Sequence, residues 1–309
     1  MQLYSFIINP AAGNGHINHI WPKLETYLQK KQVDYSIHTT KYPGHATKIV
    51  QELANAIPKP TIIVLGGDGT LHEALNGLQE ANLQASLAYI PCGSGNDFAR
   101  GAKINANPLI SLQKILTKPT KIDLDIGYYT DKIRHTQAFF TNNLGVGFDA
   151  NIVYTANHSY IKRILNKHRL GFLAYAFSFF KAFYQQETFN LTLTCNEQTL
   201  IFKKAFLCTV TNHPYFGGGV CLMPKAKLND GKLDVVIIEK KSTLQFWLTF
   251  LLMILPGHLH THLKNVHHFQ AALIHLQTTK NNHCHADGED LSCEPSDLTF
   301  SIKKQSFII

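Results

Sequence analysis

Residues 62–77 read Ile62-Ile63-Val64-Leu65-Gly66-Gly67-Asp68-Gly69-Thr70-Leu71-His72-Glu73-Ala74-Leu75-Asn76-Gly77. Four apolar residues run into three glycines split by an aspartate, and an apolar stripe at Leu71, Ala74, Leu75 and Leu78 follows. That order predicts a buried strand, a tight turn and a helix starting near Thr70. Gly66, Gly67 and Gly69 leave backbone N–H groups unshielded, so an anion can approach closely. The helix N-terminus adds unpaired N–H groups and the positive end of its dipole. Asp68 sets a carboxylate beside that anion site, as a bound metal or a reacting proton would need. The expected ligand is a nucleotide polyphosphate with a divalent cation. The plainer reading of the string alone is a glycine turn with Asp68 as a helix cap.

The surrounding chain repeats the pattern. Leu3 to Ile8 reads as a strand that ends in the small-residue loop Asn9-Pro10-Ala11-Ala12-Gly13, with a helix over Ile17–Lys31 behind it. Tyr35 to Thr40 alternates as a strand, Lys41-Tyr42-Pro43-Gly44 reads as a loop, and Ala46 to Ala56 as a helix. Leu87 to Ile90 is the next strand, ending in Pro91-Cys92-Gly93-Ser94-Gly95-Asn96-Asp97-Phe98-Ala99-Arg100. Ser94 offers a hydroxyl and Asn96 an amide. Asp97 and Arg100 stand one turn apart, which alone would be an ordinary surface ion pair. The βαβαβα order argues for a parallel sheet covered on both faces, with ligands at the carboxyl ends of its strands, where these loops fall.

From Thr120 the pattern changes to short alternating stretches: Lys121–Tyr129, Gln137–Leu144, Phe189–Cys195, Gln198–Val210, Lys232–Ile238, Val266–Leu276 and Leu298–Lys303. These predict a β-rich second domain, with the division near residue 122. One helical stretch, Phe148 to Phe183, carries Lys162, Arg163, Lys167 and Arg169 ahead of an aromatic run, and a second, Leu244 to Leu255, is almost wholly apolar. A basic, aromatic-flanked helix suits an anionic leaflet, so the 160–183 region is the candidate membrane face, and Leu244–Leu255 is expected to be partly buried.

Composition narrows the class of partner. The chain has 309 residues, 45% hydrophobic and 16% charged, which is a globular balance. Its 29 basic and 21 acidic residues leave a formal charge of +8, suited to an anionic partner. A nucleic-acid reading rests on that charge alone, and none is expected. The six cysteines show no Cys-x-x-Cys spacing and read as reduced thiols of a cytosolic protein. Residues 1–10 read as a first strand and not as a leader. The longest apolar run, Phe246 to Pro256, is too short to span a bilayer. The expectation is a cytoplasmic protein, peripheral to the inner face of the cell membrane.

Taken together, the sequence resembles the soluble bacterial lipid kinases of the diacylglycerol kinase catalytic-domain family, close to bacterial diacylglycerol kinases. The resemblance spans essentially the whole chain. It rests on Asn9-Pro10-x-x-Gly13, Gly66-Gly67-Asp68-Gly69-Thr70 with Glu73 and Asn76-Gly77, Gly93-Ser94-Gly95-Asn96-Asp97-Phe98-x-Arg100, Gly145-x-Gly147-Phe148-Asp149, Asn229-Asp230-Gly231-x-Leu233-Asp234, and Asp287-Gly288-Glu289. It implies an N-terminal parallel-sheet α/β domain over residues 1–122 that binds ATP, and a β-sandwich-like lipid domain over 123–309, whose last strand is a candidate to return to the first domain. The active site falls in the cleft between them.

By the same resemblance Asn9, Pro10, Ala11, Ala12, Gly13, Thr40, Gly66, Gly67, Asp68, Gly69, Thr70, Leu71, His72 and Ser94 correspond to ATP-contacting positions, and Asn96 and Asp97 join them. Glu289 resembles the general base, with Asp68 on metal and phosphate and as the competing base candidate. Transfer to an alcohol needs a group to accept the hydroxyl proton, and a carboxylate at a turn can reach into a cleft. Lys227, Asp230 and Lys232 resemble a structural Mg2+ site made from one carboxylate and two backbone carbonyls; the plainer reading there is an Asp-Gly hairpin. The implied partners are ATP, Mg2+, a lipid at an anionic membrane surface, and a homodimer as a candidate assembly.

Competing readings are weaker. NAD kinases share Gly-Gly-Asp-Gly-Thr, but this chain carries Gly93–Arg100 and Asp287-Gly288-Glu289 in place of that family's later motif. A non-catalytic nucleotide- or lipid-binding protein would not need Asp68, Asp97 and Glu289 together. His258, His260 and His262 alternate as they would on one face of a strand, a possible transition-metal arrangement, but no carboxylate is seen to pair with them and the spacing fits no zinc motif. Surface histidines are expected.

Overall fold

The computed structural model describes residues 3–56, 60–83, 85–158 and 171–309, with the backbone alone over 171–177 and at 292. Lys162, Arg163, Lys167 and Arg169 lie outside the described residues. The N-terminal domain alternates strand and helix: β1 (Tyr4–Ile8), α1 (Ile17–Lys30), β2 (Tyr35–Thr39), α2 (His45–Ala56), β3 (Thr61–Gly66), α3 (Asp68–Glu80), β4 (Ser86–Pro91), α4 (Asp97–Gly101) and α5 (Pro108–Thr117). The strands run parallel in the order β2-β1-β3-β4. Every residue of β3 is buried because α-helices cover both faces of the sheet, which is why its sequence is a continuous apolar run without alternation. Leu71, Ala74, Leu75 and Leu78 of α3 are fully buried and form one core with Ile62, Val64 and Leu87. Phe6, Ile63, Leu65 and Ile90 point to the other face, into a core with Leu24 and Leu28 of α1.

The second domain is β-sandwich-like. Its elements are β5 (Lys121–Asp131), β6 (Thr136–Phe140), β7 (Asn143–Gly147), α6 (Phe148–Asn157), α7 (Gly171–Gln185), β8 (Phe189–Cys195), β9 (Gln198–Thr211), β10 (Tyr215–Phe216), β11 (Val220–Cys221), β12 (Leu233–Glu239), α8 (Thr243–Ile254), β13 (Val266–Ala271), β14 (Ile274–Thr278), β15 (Asn282–Ala286), β16 (Glu289–Glu294) and β17 (Asp297–Ile308). Leu144, Leu191, Leu193, Val210, Val235, Ile274 and Phe300 fill its core. β17 pairs antiparallel with β14 and along its whole length with β5, and its last residues, Phe307 and Ile308, pair parallel with Leu87 and Ala88 of β4. One strand therefore belongs to both domains.

Several expectations change. The strand expected over Gln137–Leu144 breaks after Phe140, because the amides of Thr141, Asn142 and Asn143 donate to the Asp287 carboxylate. The one expected over Val266–Leu276 is two, since the chain leaves β12 at Ala271 and pairs with β8 and β17 from Ile274. β15 and β16 have too polar a composition to read as strands in sequence. The helical stretch expected over 148–183 is two described helices, α6 and α7. His258–His262 is not a strand: Leu259–His262 forms a single 3-10 turn. Other histidines do have carboxylate partners, His267 with Glu239 at 3.1 Å, His268 with Asp234 at 2.6 Å and His275 with Asp297 at 2.8 Å. These are cross-strand and loop contacts, and His260 is fully buried, its Nε2 donating to the Leu222 carbonyl at 2.9 Å.

All six cysteines are free. Among the described residues no helix is long and apolar enough to cross a membrane.

Candidate active site

Three loops meet at the carboxyl ends of β1, β3 and β4, tied by backbone hydrogen bonds from Asn9 N to the Leu65 carbonyl (3.0 Å) and from Cys92 N to the Gly66 carbonyl (2.8 Å). Asn9 Nδ2 donates to Thr70 Oγ1 at 2.9 Å, and Asn9 Oδ1 accepts from Ala11 N at 3.0 Å, so this side chain links the first two loops. Glycine is required by close approach: a Cβ on Gly93 would lie 2.5 Å from Gly67 Cα, and one on Gly13, at φ +58°, 2.5 Å from the Cys92 carbonyl oxygen. The loops form one wall of a cleft of about 420 Å³, along Asn9–Ala12, Thr40–Pro43, Gly67, Gly69, Thr70 and Gly93, and Glu289 of the second domain stands on the other wall. A larger cleft of about 760 Å³ lies at the opposite strand ends, beside Thr61 and Ser86. It lacks the glycine loops, and parallel sheets bind at carboxyl ends.

Carboxylates crowd this region. Asp68 does not cap its own helix: its two oxygens accept from the amides of Asp97 and Phe98, each at 3.1 Å, and so cap α4. Burial pushes the Asp68 carboxyl up, and the charges of Asp97 and Asp287 push it further against those two amides. Asp97 holds Arg100 at 2.6 Å and accepts from Gly218 N at 2.8 Å, joining α4 to the β10–β11 hairpin of the second domain. Glu73 accepts from Gly44 N and Ala46 N at 2.8 and 3.0 Å, and so caps α2.

The second domain contributes a hairpin. Asp287, at φ +49°, turns β15 into β16 and points its carboxylate inward, where it is fully buried. It accepts from Thr141 N (2.7 Å), Thr141 Oγ1 (3.0 Å), Asn142 N (2.8 Å) and Asn143 N (3.0 Å), and meets His72 Nδ1 of α3 at 2.9 Å. Burial opposes both charges. His72 and the amides outweigh it at Asp287 and hold that carboxyl below its usual range, while Asp287, with Glu289 and Glu73 beyond it, raises the His72 imidazole. Gly288 donates to His285 Nδ1 at 3.2 Å and accepts from Asn157 Nδ2 at 3.1 Å. The next residue is the exposed Glu289, whose Oε1 lies 3.7 Å from where a Cβ on Gly69 would be.

The remaining sequence candidates sort by where their side chains point. Leu71 is fully buried in the α/β core and can offer only its backbone. Asn96 is turned into its own loop, accepting from Gly93 N and Tyr89 Oη and donating to the Gly93 carbonyl. Ser94 is exposed at the tip of that loop, and Thr40 is buried against the cleft. Asp230 stands away from the cleft residues in an exposed turn where Lys232 N donates to its Oδ1 at 3.1 Å. Gly231 N of that turn donates to the buried Asp125.

Comparison with known proteins agrees with this geometry. Residues 4–128 match the diacylglycerol kinase catalytic domain, and residues 143–304 the YegS C-terminal NAD kinase β-sandwich-like domain. YtlR of Bacillus subtilis, named as a candidate lipid kinase, is 32% identical over 307 residues, 97% of each chain. The chain belongs to the YegS-like lipid kinase family.

Within that family it stands close to bacterial diacylglycerol kinases. The Bacillus subtilis diacylglycerol kinase is 28% identical over 297 residues, covering 94% of this chain and 90% of that one. A solved structure named as a candidate diacylglycerol kinase of Bacillus anthracis is 27% identical, with a TM-score of 0.78 over 99% of this chain and 97% of that one. As a YegS-like lipid kinase the chain carries a kinase catalytic domain and a β-sandwich-like partner domain, with the cleft at their interface.

Sequence reading of this lipid kinase missed Lys41 and Tyr42, which line the cleft from a loop with no motif, and it missed the roles of His72 and Asp287. Glu73 and Asp97 were visible as motif residues, but not as caps and interdomain ties. Of the site's carboxylates Glu73 and Glu289 line the cleft, and Asp68 is raised by burial and then by the charges of Asp97 and Asp287, charge that a divalent cation would relieve. Among the described residues no three His, Cys, Asp or Glu side chains come together as a ready-made metal site. The turn at Asp230 offers one carboxylate and the backbone carbonyls of Lys227 and Lys232, oxygen donors of the kind a hard cation prefers.

Proposed function

We propose that this protein is an ATP- and Mg2+-dependent lipid kinase that transfers the γ-phosphoryl group of ATP to the hydroxyl of diacylglycerol, giving phosphatidic acid and ADP. The observation that carries this reading is the opposition across one cleft of a glycine-lined wall and the carboxylate of Glu289. The loop backbones of Asn9–Gly13 and Gly66–Thr70 supply N–H groups to the phosphates, and Thr40, Leu71, His72, Ser94, Asn96 and Asp97 complete that side of the site. Asp68 holds Mg2+, which when bound neutralises phosphate charge as it shifts toward the leaving oxygen. Glu289 accepts the proton of the lipid hydroxyl while its oxygen bonds to phosphorus and the bond to ADP breaks, so charge and atoms balance. Asp230, with the carbonyls of Lys227 and Lys232, holds a second, structural Mg2+. The enzyme works peripherally at the inner face of the cell membrane.

The test is phosphate transfer from labelled ATP, with magnesium, to lipids in mixed micelles. Diacylglycerol, phosphatidylglycerol, sphingosine and undecaprenol are presented separately, with NAD as a soluble control. Labelling of diacylglycerol supports the reading. Labelling of another lipid replaces the acceptor, labelling of NAD alone overturns the substrate class, and labelling of nothing removes the kinase reading for this panel.

A further inference from the structure

The helix α8 breaks the rule for surface helices. Its residues 243–254, Thr-Leu-Gln-Phe-Trp-Leu-Thr-Phe-Leu-Leu-Met-Ile, contain no charge, yet only one face is packed. Phe246, Thr249 and Met253 are buried, at 4%, 1% and 7% exposure. The opposite face carries Leu244, Leu248, Leu251 and, just past the helix, Leu255, at spacings that stack them in one stripe. They are 81%, 47%, 53% and 44% exposed. Phe180 and Tyr184 of α7 extend the stripe, at 51% and 80% exposure, and Phe180 packs on Trp247 with ring centroids 5.6 Å apart. A contiguous outward apolar face of this kind marks a surface that meets something.

Two further observations say what meets it. From Lys240 to Ala286 the chain has no aspartate or glutamate; Lys240 and Lys241 directly precede α8 and Lys264 follows it, while Lys280 is paired with Glu187 at 3.7 Å. Beneath it, the packed face of α8 lines an apolar cavity of about 70 Å³ with Phe148 and Phe179, where Asp149 is the one charged group. Asp149 Oδ2 accepts from Thr209 Oγ1 at 2.6 Å and lies 3.6 Å from His285 Nε2, and the other nitrogen of His285 accepts from Gly288 N, one residue before Glu289. The packed face of α8 is thus linked to the hairpin of the proposed base through the buried polar side chains of Asp149 and His285. At 12 residues α8 is about 18 Å long, too short to span a bilayer, so it can only lie in the plane of one leaflet.

We propose that the Leu244–Leu255 stripe, with Phe180 and Tyr184, is the surface by which this protein docks on an anionic lipid bilayer, with α8 lying flat at the headgroup–acyl boundary. The proposal deepens the lipid kinase reading and rests on it for its purpose, but its test does not need catalysis. The expectation drawn from sequence put the membrane face on 160–183; its other part, that α8 is partly buried, agrees with the burial of Phe246, Thr249 and Met253.

The experiment uses the full chain with a Trp21→Phe background, so that Trp247 is the sole tryptophan. Vesicles are an equal mixture of phosphatidylglycerol and phosphatidylcholine, with and without brominated acyl chains. The expected result is co-sedimentation, with Trp247 emission quenched by the brominated chains. In Leu248→Ser/Leu251→Ser the partition coefficient falls about tenfold or more. Its thermal melt and its transfer to a dispersed short-chain diacylglycerol stay as in the parent. A double variant that partitions like the parent overturns the proposal, as does vesicle binding without Trp247 quenching. A concentration-dependent dimer that the double substitution dissociates, with vesicle partition unchanged, assigns the stripe to a second copy of the chain instead. Normal docking with no transfer to the short-chain acceptor counts against the kinase reading and leaves the surface intact. Should the double variant melt early, Leu244→Ser, at the most exposed position, repeats the test.

Discussion

His72 Nδ1 lies 2.9 Å from Asp287 Oδ2, joining the first turns of α3 in the nucleotide-side domain to the hairpin that presents Glu289 in the other. The two residues are 215 positions apart. Asp287 is also the point where three successive amides, Thr141 and Asn142 between β6 and β7 and Asn143 at the start of β7, bind one carboxylate. The pair therefore ties the turn of the hairpin to α3 and to the start of β7.

Removing this carboxylate is expected to be costly. Asp287→Ala leaves His72 and four buried donor contacts without their acceptor, a loss of about 3–5 kcal/mol. Urea denaturation of the full chain checks it, and an unchanged midpoint would show that the hairpin is held by its strands alone.

The pair also has a pH signature. The raised His72 contributes stability that is fully present below the ordinary histidine value and is lost as pH rises through its folded value. The lowered Asp287 contributes stability present above the ordinary carboxyl value and lost as pH falls through its folded value. His72→Asn keeps a donor but removes the charge. The difference in melting temperature between wild type and this variant is expected to be largest between about pH 4 and about pH 6.5 and to shrink on both sides. A difference flat across that range would mean that the contact is not ionic.

Glu289→Gln is expected to lower kcat by about 10²–10⁴-fold with ATP affinity near that of wild type, because the side chain is exposed and holds no loop in place. Nucleotide titration alongside turnover on diacylglycerol separates the two effects. Full turnover in this variant would pass the role of base to another group.

Asp68→Asn is expected to act twice. It weakens the cap on α4, at about 1 kcal/mol, and raises the magnesium concentration needed for half-maximal rate. Melts and a magnesium titration of the rate resolve the contributions, and a shift in melting alone would make Asp68 purely a cap.

Asp230→Ala is expected to abolish any rise in melting temperature on adding magnesium, with kcat/KM nearly unchanged, because the turn stands apart from the cleft. Equal magnesium-dependent shifts in variant and wild type would remove Asp230 as a ligand.

Local chemistry decided what could be read before folding. Gly66–Gly77 specifies its strand, turn and helix from neighbours a few positions away, through one apolar run, three glycines and a helical stripe. The glycine loops at Asn9–Gly13 and Gly93–Asn96 follow from the same grammar, and parallel strands bring all three loops to one end of the sheet. The β-rich second half was legible from alternation, except where polar strands such as β15 and β16 carry no apolar period.

What only the tertiary structure decided are relations between distant residues. A carboxylate in sequence has no stated partner. Here Asp68 caps the helix after the next strand, Asp97 reaches Gly218 in the other domain, and Asp287 draws in both a strand break and His72. The same holds for α8: its sequence is apolar all round, and periodicity cannot say which face is covered. The sequence by itself determines the strands, turns and helices whose apolar period or glycine turns are local, as in β3 and α3, because those preferences act over a few residues. Packing decides which side chains become ion pairs, caps or open surface, because burial and charge pairing depend on neighbours that come together only when the domains close.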